Sequence, residues 1–263
     1  MHGATVLPLA SPSASTDLLT RYNSYFRTQA ADTPELMRTA QAIRYQVYCL
    51  ERQFENAAEH DSGLESDLFD DTALHSLVFH RPSSEAIGTA RLILPQRAPQ
   101  IDGVGGMPIQ QLLQESGLRA QDFFPVETTA EVSRFAISNT FRRRPGDNGV
   151  VAGNAPQNRD RECRGALPCL GLIQEVVRQS LALGLTHWAA VMEPKLLRML
   201  ALMGVHFTPV GPLISHHGMR QPSYGCIVDV LERMRRERPD HWTVATEAGT
   251  LMPKRRPVHR HAA

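Results

Sequence analysis

The stretch AEVSRFAIS, residues 130–138, decides how this chain is read. Val132, Phe135, Ala136 and Ile137 supply the bulk of a β-strand, yet Glu131, Ser133 and Arg134 sit among them. Strand alternation puts Glu131, Ser133, Phe135 and Ile137 on one face and Val132, Arg134 and Ala136 on the other. Each face therefore carries a charge. The stretch is either an edge strand with a wet face or an interior strand whose polar groups do chemistry.

Working outward, residues 74–80 (LHSLVFH) and 86–95 (AIGTARLILP) read as two strands joined by the turn-forming RPSSE. In the second, Ile87, Thr89, Arg91 and Ile93 share a face, so Arg91 projects from an otherwise fairly apolar surface. An unpaired buried guanidinium is too costly, so Arg91 belongs at a rim or beside a carboxylate. Carboxylates are close in sequence: the acidic loop at 59–71 contains ESDLFD, with Glu65, Asp67 and Asp70. As a Ca²⁺ loop it lacks both the sixth-position Gly and the closing Glu. Before it, Thr33 as N-cap, Pro34 and Glu35 start a helix predicted over 33–53. Its apolar stripe is Leu36, Ala40, Ile43, Val47, Leu50 and Phe54, with Cys49 as a core residue. Charge complementarity suggests one network, with Arg44, Arg91 and Arg134 set against Glu65, Asp67, Asp70 and Glu131. These residues alone leave open whether that network is structural or catalytic.

Downstream, residues 142–165 are rich in Gly, Asn and Arg without periodicity and read as a long loop. The pattern then becomes α/β. It gives a helix over 167–184 closed by Gly184, a strand over 186–192, a helix over 194–203 opened by Pro194, and strands over 205–211 and 224–230. A short helix is expected near 108–116. The order predicts a mixed sheet and not an uninterrupted βαβ series. His216 and His217 have no third ligand at a familiar metal spacing, so no metal site is expected.

The 263 residues suffice for a sizeable core, and 42% are hydrophobic and 21% charged, an ordinary balance for a folded protein. A net charge of +1 provides no global field for nucleic acid or an anionic membrane. The four cysteines form no CxxC pair, which favours reduced thiols over a disulfide scaffold. Residues 1–15 and the basic 251–263 read as disordered tails around one domain at 16–250. The N-terminus has neither a charged n-region nor an apolar h-region, and no apolar run is long enough for a membrane span, so a cytoplasmic location is expected.

Four segments, IRYQVYCLERQFE, ESDLFD, GTARLILP and EVSRF, resemble in order and spacing the acyl-homoserine-lactone (autoinducer) synthases. They are similar also to the related long-chain N-acyl amino acid synthases; both groups are acyltransferases of the GNAT superfamily. The matching residues are Arg44; Glu65, Asp67 and Asp70; Arg91; and Glu131, Ser133 and Arg134. The chain further resembles PEP-CTERM/exosortase system-associated acyltransferases in VYCLERQFE, HWAAVMEPKLLRMLALMGVHFTPVGP and HGMRQPSYGCIVDV.

The resemblance implies a GNAT-like α/β fold whose mixed central sheet splays between flanking helices. It also implies acyl transfer from an acyl carrier protein or coenzyme A thioester to the amine of an amino acid or similar small molecule. The thioester is then a co-substrate, with no tightly bound cofactor. Residues 130–138 become the splayed strand, with N–H groups near Phe135, Ala136 and Ile137 meeting the thioester. Glu131 becomes the base or water-positioning group and Ser133 orients substrate or leaving thiol. Arg44, Glu65, Asp67, Asp70, Arg91 and Arg134 shape the substrate entrance, Arg134 from the opposite strand face as a partner of the acidic loop. One departure is RRRPGDNG, where Arg143, Gly146 and Gly149 space the pyrophosphate loop one residue too long. This leaves room for acyl carrier protein as partner, whose acidic helices suit Arg142, Arg143 and Arg144; a solvated basic turn is the alternative.

Overall fold

The computed structural model describes residues 14–95, 100–101, 104–139, 157–215 and 218–253. It begins with α1 (Ala14–Tyr25), which runs directly into strand β1 (Phe26–Ala30). Helix α2 (Pro34–Arg44) starts as its sequence dictates, with the Thr33 side chain accepting from the Leu36 N–H at 3.3 Å. The predicted helix does not continue in α form to residue 53. From Tyr45 to Glu51 it widens into a π-helix, closed by Arg52 N–H donating to the Val47 carbonyl at 2.9 Å. The wider turn breaks the apolar stripe, so Val47 stays in the core while Leu50 is 50% exposed.

Strands β2 (Ala73–His80) and β3 (Glu85–Ile93) form the expected antiparallel pair, and β1 adds to the outside of β2. A small hairpin, β4 (Gln100–Ile101) and β5 (Val104–Gly105), leads to helix α3 (Pro108–Glu115). Strand β6 (Thr129–Ile137) contains all of AEVSRFAIS except its last residue. Helix α4 (Gln157–Ala182) carries the chain to β7 (His187–Met192), followed by α5 (Pro194–Leu202). Short β8 (Thr208–Pro209) and β9 (Ile214–Ser215) precede β10 (Met219–Cys226), and α6 (Ile227–Glu237) and α7 (Pro239–Ala245) close the fold.

The main sheet runs β1-β2-β3-β6-β7-β10-β8, with β9 on β10; β6 and β7 are parallel and the other pairs antiparallel. Strand β6 is thus interior. One sheet face carries α1, α4, α6 and α7 over a core that includes Val78, Leu92, Val177 and Leu231. The other carries α2 over Leu77 and Phe79, and α3 over Ile93 and Ala189.

Three further predicted elements differ. The segment 142–165 is helical from Gln157 onward; its polar residues gave no apolar period to reveal a helix. Of the strand expected over 205–211 only Thr208–Pro209 joins the ladder with β10; Val210 adds one further hydrogen bond, its N–H donating to the Pro222 carbonyl at 2.8 Å. The strand expected over 224–230 ends at Cys226, and Ile227, Val230, Leu231 and Met234 form the buried stripe of α6. An apolar run of that length fits either period. Of the expected tails, Ala14 is already helical, Leu251–Pro253 is described, and the rest of both tails lies outside the described residues. No helix among the described residues is long and apolar enough to cross a membrane.

Gly88 marks the closest approach in the β3–β6 ladder. A Cβ there would lie 2.3 Å from Ile137 Cδ1 and 2.8 Å from the Ala136 carbonyl oxygen. We expect Gly88→Ala to lower stability by about 1–3 kcal/mol, the cost of overpacking a core, as read by chemical denaturation.

Candidate active site

Arg44 ends α2 fully buried, where an isolated guanidinium would cost several kcal/mol. It is paired on two sides, by Glu65 and by Asp70 at 2.6 Å. Asp70 also takes Arg91 Nη1 at 2.6 Å; Arg91 reaches Asp67 at 2.5 Å; Asp67 meets Arg134 at 3.3 Å; and Arg134 returns to Glu65 at 2.8 Å. Three arginines and three carboxylates thereby alternate in a closed, charge-neutral ring. The loop bearing the acids is itself folded onto them: Asp67 Oδ1 accepts from the Phe69 N–H at 2.9 Å, and Asp70 Oδ2 accepts from the Asp67 N–H at 3.2 Å. Burial would raise the Asp70 carboxyl, but Arg44 and Arg91 together hold it down at about 2. His75, behind the ring, is lowered as well, from 6.5 to about 4, chiefly because burial disfavours its charged form.

Arg134 does not project from the opposite strand face, as simple alternation predicts. The β3–β6 register slips between Thr89 and Arg91, so one residue of β3, Ala90, faces two of β6, Arg134 and Phe135. At this bulge Arg134 takes φ +49°, a left-handed conformation that costs a non-glycine residue of order 1 kcal/mol. The bulge turns its guanidinium into the same cluster as Arg91. A fourth carboxylate, Glu55, also meets it at 3.1 Å, and it lies 5.3 Å over the Tyr48 ring.

Beside the ring the sheet opens. The parallel β6–β7 ladder pairs Thr129, Ala130 and Glu131 with His187, Trp188 and Ala189 and goes no further. Past Glu131 the strands bound a cleft of about 720 Å³. Its walls are β6 from Val132 to Ile137, the end of β7, Leu196 and Met199 of α5, Tyr48 and Phe54 from the π-helix region, and Gln111 and Leu112 of α3. Arg91, Asp67, Glu131, Ser133 and Arg134 all reach it. The Ser138 N–H donates to Ile87 C=O at 2.9 Å, which fixes the ladder phase. Ala136 is therefore the next residue bonded inward to β3, and the amides of Phe135 and Ile137 turn to the open edge. Ala136 does not join them as an N–H facing the cleft.

Glu131 sits at the last ladder rung, buried. One carboxylate oxygen accepts from the Ile109 N–H at 2.8 Å, in the first turn of α3. Burial pushes its pKa up to about 7, against that hydrogen bond and the charge of Arg91, which both lower it. The Ser133 hydroxyl accepts from Arg91 Nε at 3.0 Å and keeps its own proton available to donate. The cleft thus offers a poised carboxyl, a hydroxyl, outward amides and apolar walls.

Arg142, Arg143, Arg144, His216 and His217 lie outside the described residues. Among the described residues no cluster of three or more His, Cys, Asp or Glu could hold a metal ion. Sequence reasoning missed Glu55, Tyr48 and Gln111, and also Arg220, which pairs with Glu193 at 3.3 Å and stacks over Phe54 at 4.6 Å. Glu55 and Tyr48 lie within IRYQVYCLERQFE and Arg220 within HGMRQPSYGCIVDV, whereas Gln111 lies in none of the segments that carry a resemblance.

A mixed sheet that splays at its one parallel pair, between flanking helices, is the GNAT-like acyltransferase fold. Residues 43–152 match the family model described as acetyltransferase (GNAT) domain. None of the curated proteins matches the sequence. Among solved structures, the chain is similar to TofI in a ternary complex with an inhibitor and MTA, at 19% identity and TM-score 0.54, covering 79% of this chain and 96% of that one. It is similar also to BjaI, a CoA-dependent acyl-homoserine lactone synthase with SAM and isopentyl-CoA, at 18% identity and TM-score 0.53, covering 88% and 90%. At these identities the likeness is one of fold.

Asp70 gives the ring a pH signature. Its folded pKa is depressed from 3.8 to about 2, so it stabilises the fold above 3.8 and loses that contribution as pH falls through about 2. Asp70→Asn should cost about 2–3 kcal/mol at neutral pH and flatten the acid limb of the stability curve, measured by denaturation at stepped pH.

Proposed function

We propose that this protein is an N-acyltransferase. It would move a long-chain acyl group from an acyl carrier protein or coenzyme A thioester to the amine of an amino acid or related small molecule. The observation that carries the reading is the buried Glu131, with a pKa of about 7, at the point where β6 and β7 part. A general base is most effective when its pKa lies near the working pH.

In this reading the thioester carbonyl enters the gap, where the outward N–H groups of Phe135 and Ile137 meet its oxygen as negative charge develops. The neutral amine attacks the carbonyl carbon, forming the C–N bond. Glu131, directly or through water, takes the proton that the nitrogen loses. The C–S bond then breaks, and the thiolate leaves with the proton that Glu131 had taken, returned directly or relayed through the Ser133 hydroxyl. The products are an N-acyl amine and a free thiol. The apolar side chains of Leu196, Met199 and Phe135 suit a long alkyl chain. The ring of arginines and acids holds β6 in its bulged, open shape, so that Arg91, Asp67 and Arg134 act by shaping the entrance.

The association with exosortase and exopolysaccharide systems belongs to the same reading through the resemblance carried by VYCLERQFE and the later half of the chain, and a cytoplasmic location is proposed with it. A second reading is an autoinducer synthase acting on S-adenosylmethionine, supported by the fold likeness to BjaI in complex with SAM. The two differ in product: a lactone in one case, an N-acyl amino acid in the other. A non-catalytic GNAT-fold binding protein is disfavoured, because a buried carboxyl poised near neutrality has no evident use in it.

Expression in a heterologous bacterium, with mass spectrometry of lipid extracts, should reveal new N-acyl species. Glu131→Gln should remove them and Arg91→Ala reduce them strongly, with both variants folded by circular dichroism. No acylated product with either class of donor would sink the reading. In vitro, kcat/KM referred to the concentration of neutral amine should rise with pH and level off above about 7, as Glu131 ionises. Glu131→Gln should lose this limb and about 10²–10⁴ in rate.

A further inference from the structure

Helix α3 presents Pro108, Gln111, Leu112 and Glu115 to the cleft, the i, i+3, i+4, i+7 spacing of a single helix face. Ile109 and Leu113, on its other side, are buried against Ile93 and Ala189. The helix is therefore clamped to the sheet by one face while the other forms a cleft wall. Its first turn also anchors the candidate base, since the Ile109 N–H holds Glu131 at 2.8 Å. Base and wall are one rigid unit.

Within that wall, Gln111 Nε2 is buried and has no hydrogen-bond partner among the described residues. A buried amide N–H without a partner carries a desolvation cost, which is why such groups are rare and are commonly completed by a ligand. The cleft around it combines charged residues of both signs, Arg91, Arg134, Asp67 and Glu131 among them. Gln111 differs from them in being a neutral donor, suited to an oxygen acceptor whether that oxygen is charged or not. An α-amino acid or its amide carries an sp² oxygen on the carbon next to the amine-bearing one. An acceptor whose nitrogen approaches Glu131 would bring that oxygen to the same helix.

We propose that Gln111 is a specificity-determining residue that holds the carboxyl or carboxamide oxygen of the acceptor, fixing its amine toward Glu131. The proposal rests on the N-acyltransferase reading and narrows its acceptor to amines with an adjacent C=O. Gln111 binds and orients; the proton transfer stays with Glu131. Two side chains of one clamped unit would then hold two atoms of one small molecule, and correct placement of the amine is where binding becomes rate.

The test is a three-way acceptor comparison with the full-length chain: a free amino acid, its carboxamide, and the amine that lacks the carboxyl carbon. Each of the twenty amino acids supplies one such trio, with acyl-CoA and acyl carrier protein donors and the amide product read by mass spectrometry. The wild type should prefer the oxygen-bearing members. Gln111→Leu should raise their KM about tenfold, the size of one net hydrogen bond, and move the donor KM by less than about twofold. The preference over the stripped amine should collapse. Gln111→Glu, which replaces the donor by an acceptor, should lose the free acid more severely than the carboxamide. The ratio between acid and carboxamide in the wild type identifies which oxygen is bound. If wild type transfers acyl groups and Gln111→Leu, folded, keeps the preference intact, the role of Gln111 is refuted while the acyltransferase reading stands. If wild type acylates no member of any trio, both fall.

Discussion

The closed ring of Arg44, Glu65, Arg134, Asp67, Arg91 and Asp70 is the constraint on which the rest of the site depends. Within the ring each guanidinium meets two carboxylates and each carboxylate two guanidiniums, so removing any member takes one partner from each of two opposite charges. Buried ion pairs seldom add much net stability over an apolar core of the same shape, but they strongly penalise any arrangement that breaks them. The ring therefore acts less as glue than as a specification. It ties the end of α2, the acidic loop, β3 and β6 into one geometry. Its cleft-facing edge, Arg91, Asp67 and Arg134, is held by a rear edge, Arg44, Glu65 and Asp70, that is almost wholly buried.

The bulge at Arg134 follows from that specification. A non-glycine residue at φ +49° persists only where its surroundings over-determine it. Here Glu65, Asp67 and Glu55 do so, and the Tyr48 ring lies beneath. The π-helix that carries Tyr48 is a second departure from regular structure on the same wall, and such turns concentrate at functional positions. The Tyr48 hydroxyl donates to the Phe135 carbonyl at 3.4 Å, and Glu51 takes the Ser138 hydroxyl and the Asn139 N–H. Both irregular elements thus hold the far half of β6 away from a flat ladder.

Much of this was legible because charges inside strands are expensive. Arg91 and Arg134 demanded carboxylates, and ESDLFD was the nearest supply, so the partners could be matched by charge alone. Glu131 was flagged as a charge inside a strand but wrongly set against the arginines; no ion pair joins it to them among the described residues, and its hydrogen-bond partner is the Ile109 N–H, a backbone amide without a sequence signature. What stayed hidden depended on geometry that alternation does not encode. The bulge reversed the expected direction of Arg134, and the π turn moved Leu50 outward. Gln111, a neutral amide on a short amphipathic helix, looks like any solvated helix residue. The strand expected over 224–230 became the first turn of α6 because a short apolar run satisfies both periods until its flanks are packed.

The parting of β6 from β7 also bears on self-association. Past Glu131 a strand edge lies open in the middle of a sheet, and unpaired edges are templates for strand addition by other chains. This edge is recessed: α3, the π-helix and α5 stand around it, and the bulge bends it out of register with any straight β-strand. A slender linear molecule can lie along it, whereas a second polypeptide would have to bring its own side chains through those walls. The shape that admits a substrate is therefore also a barrier against aggregation through this open strand edge.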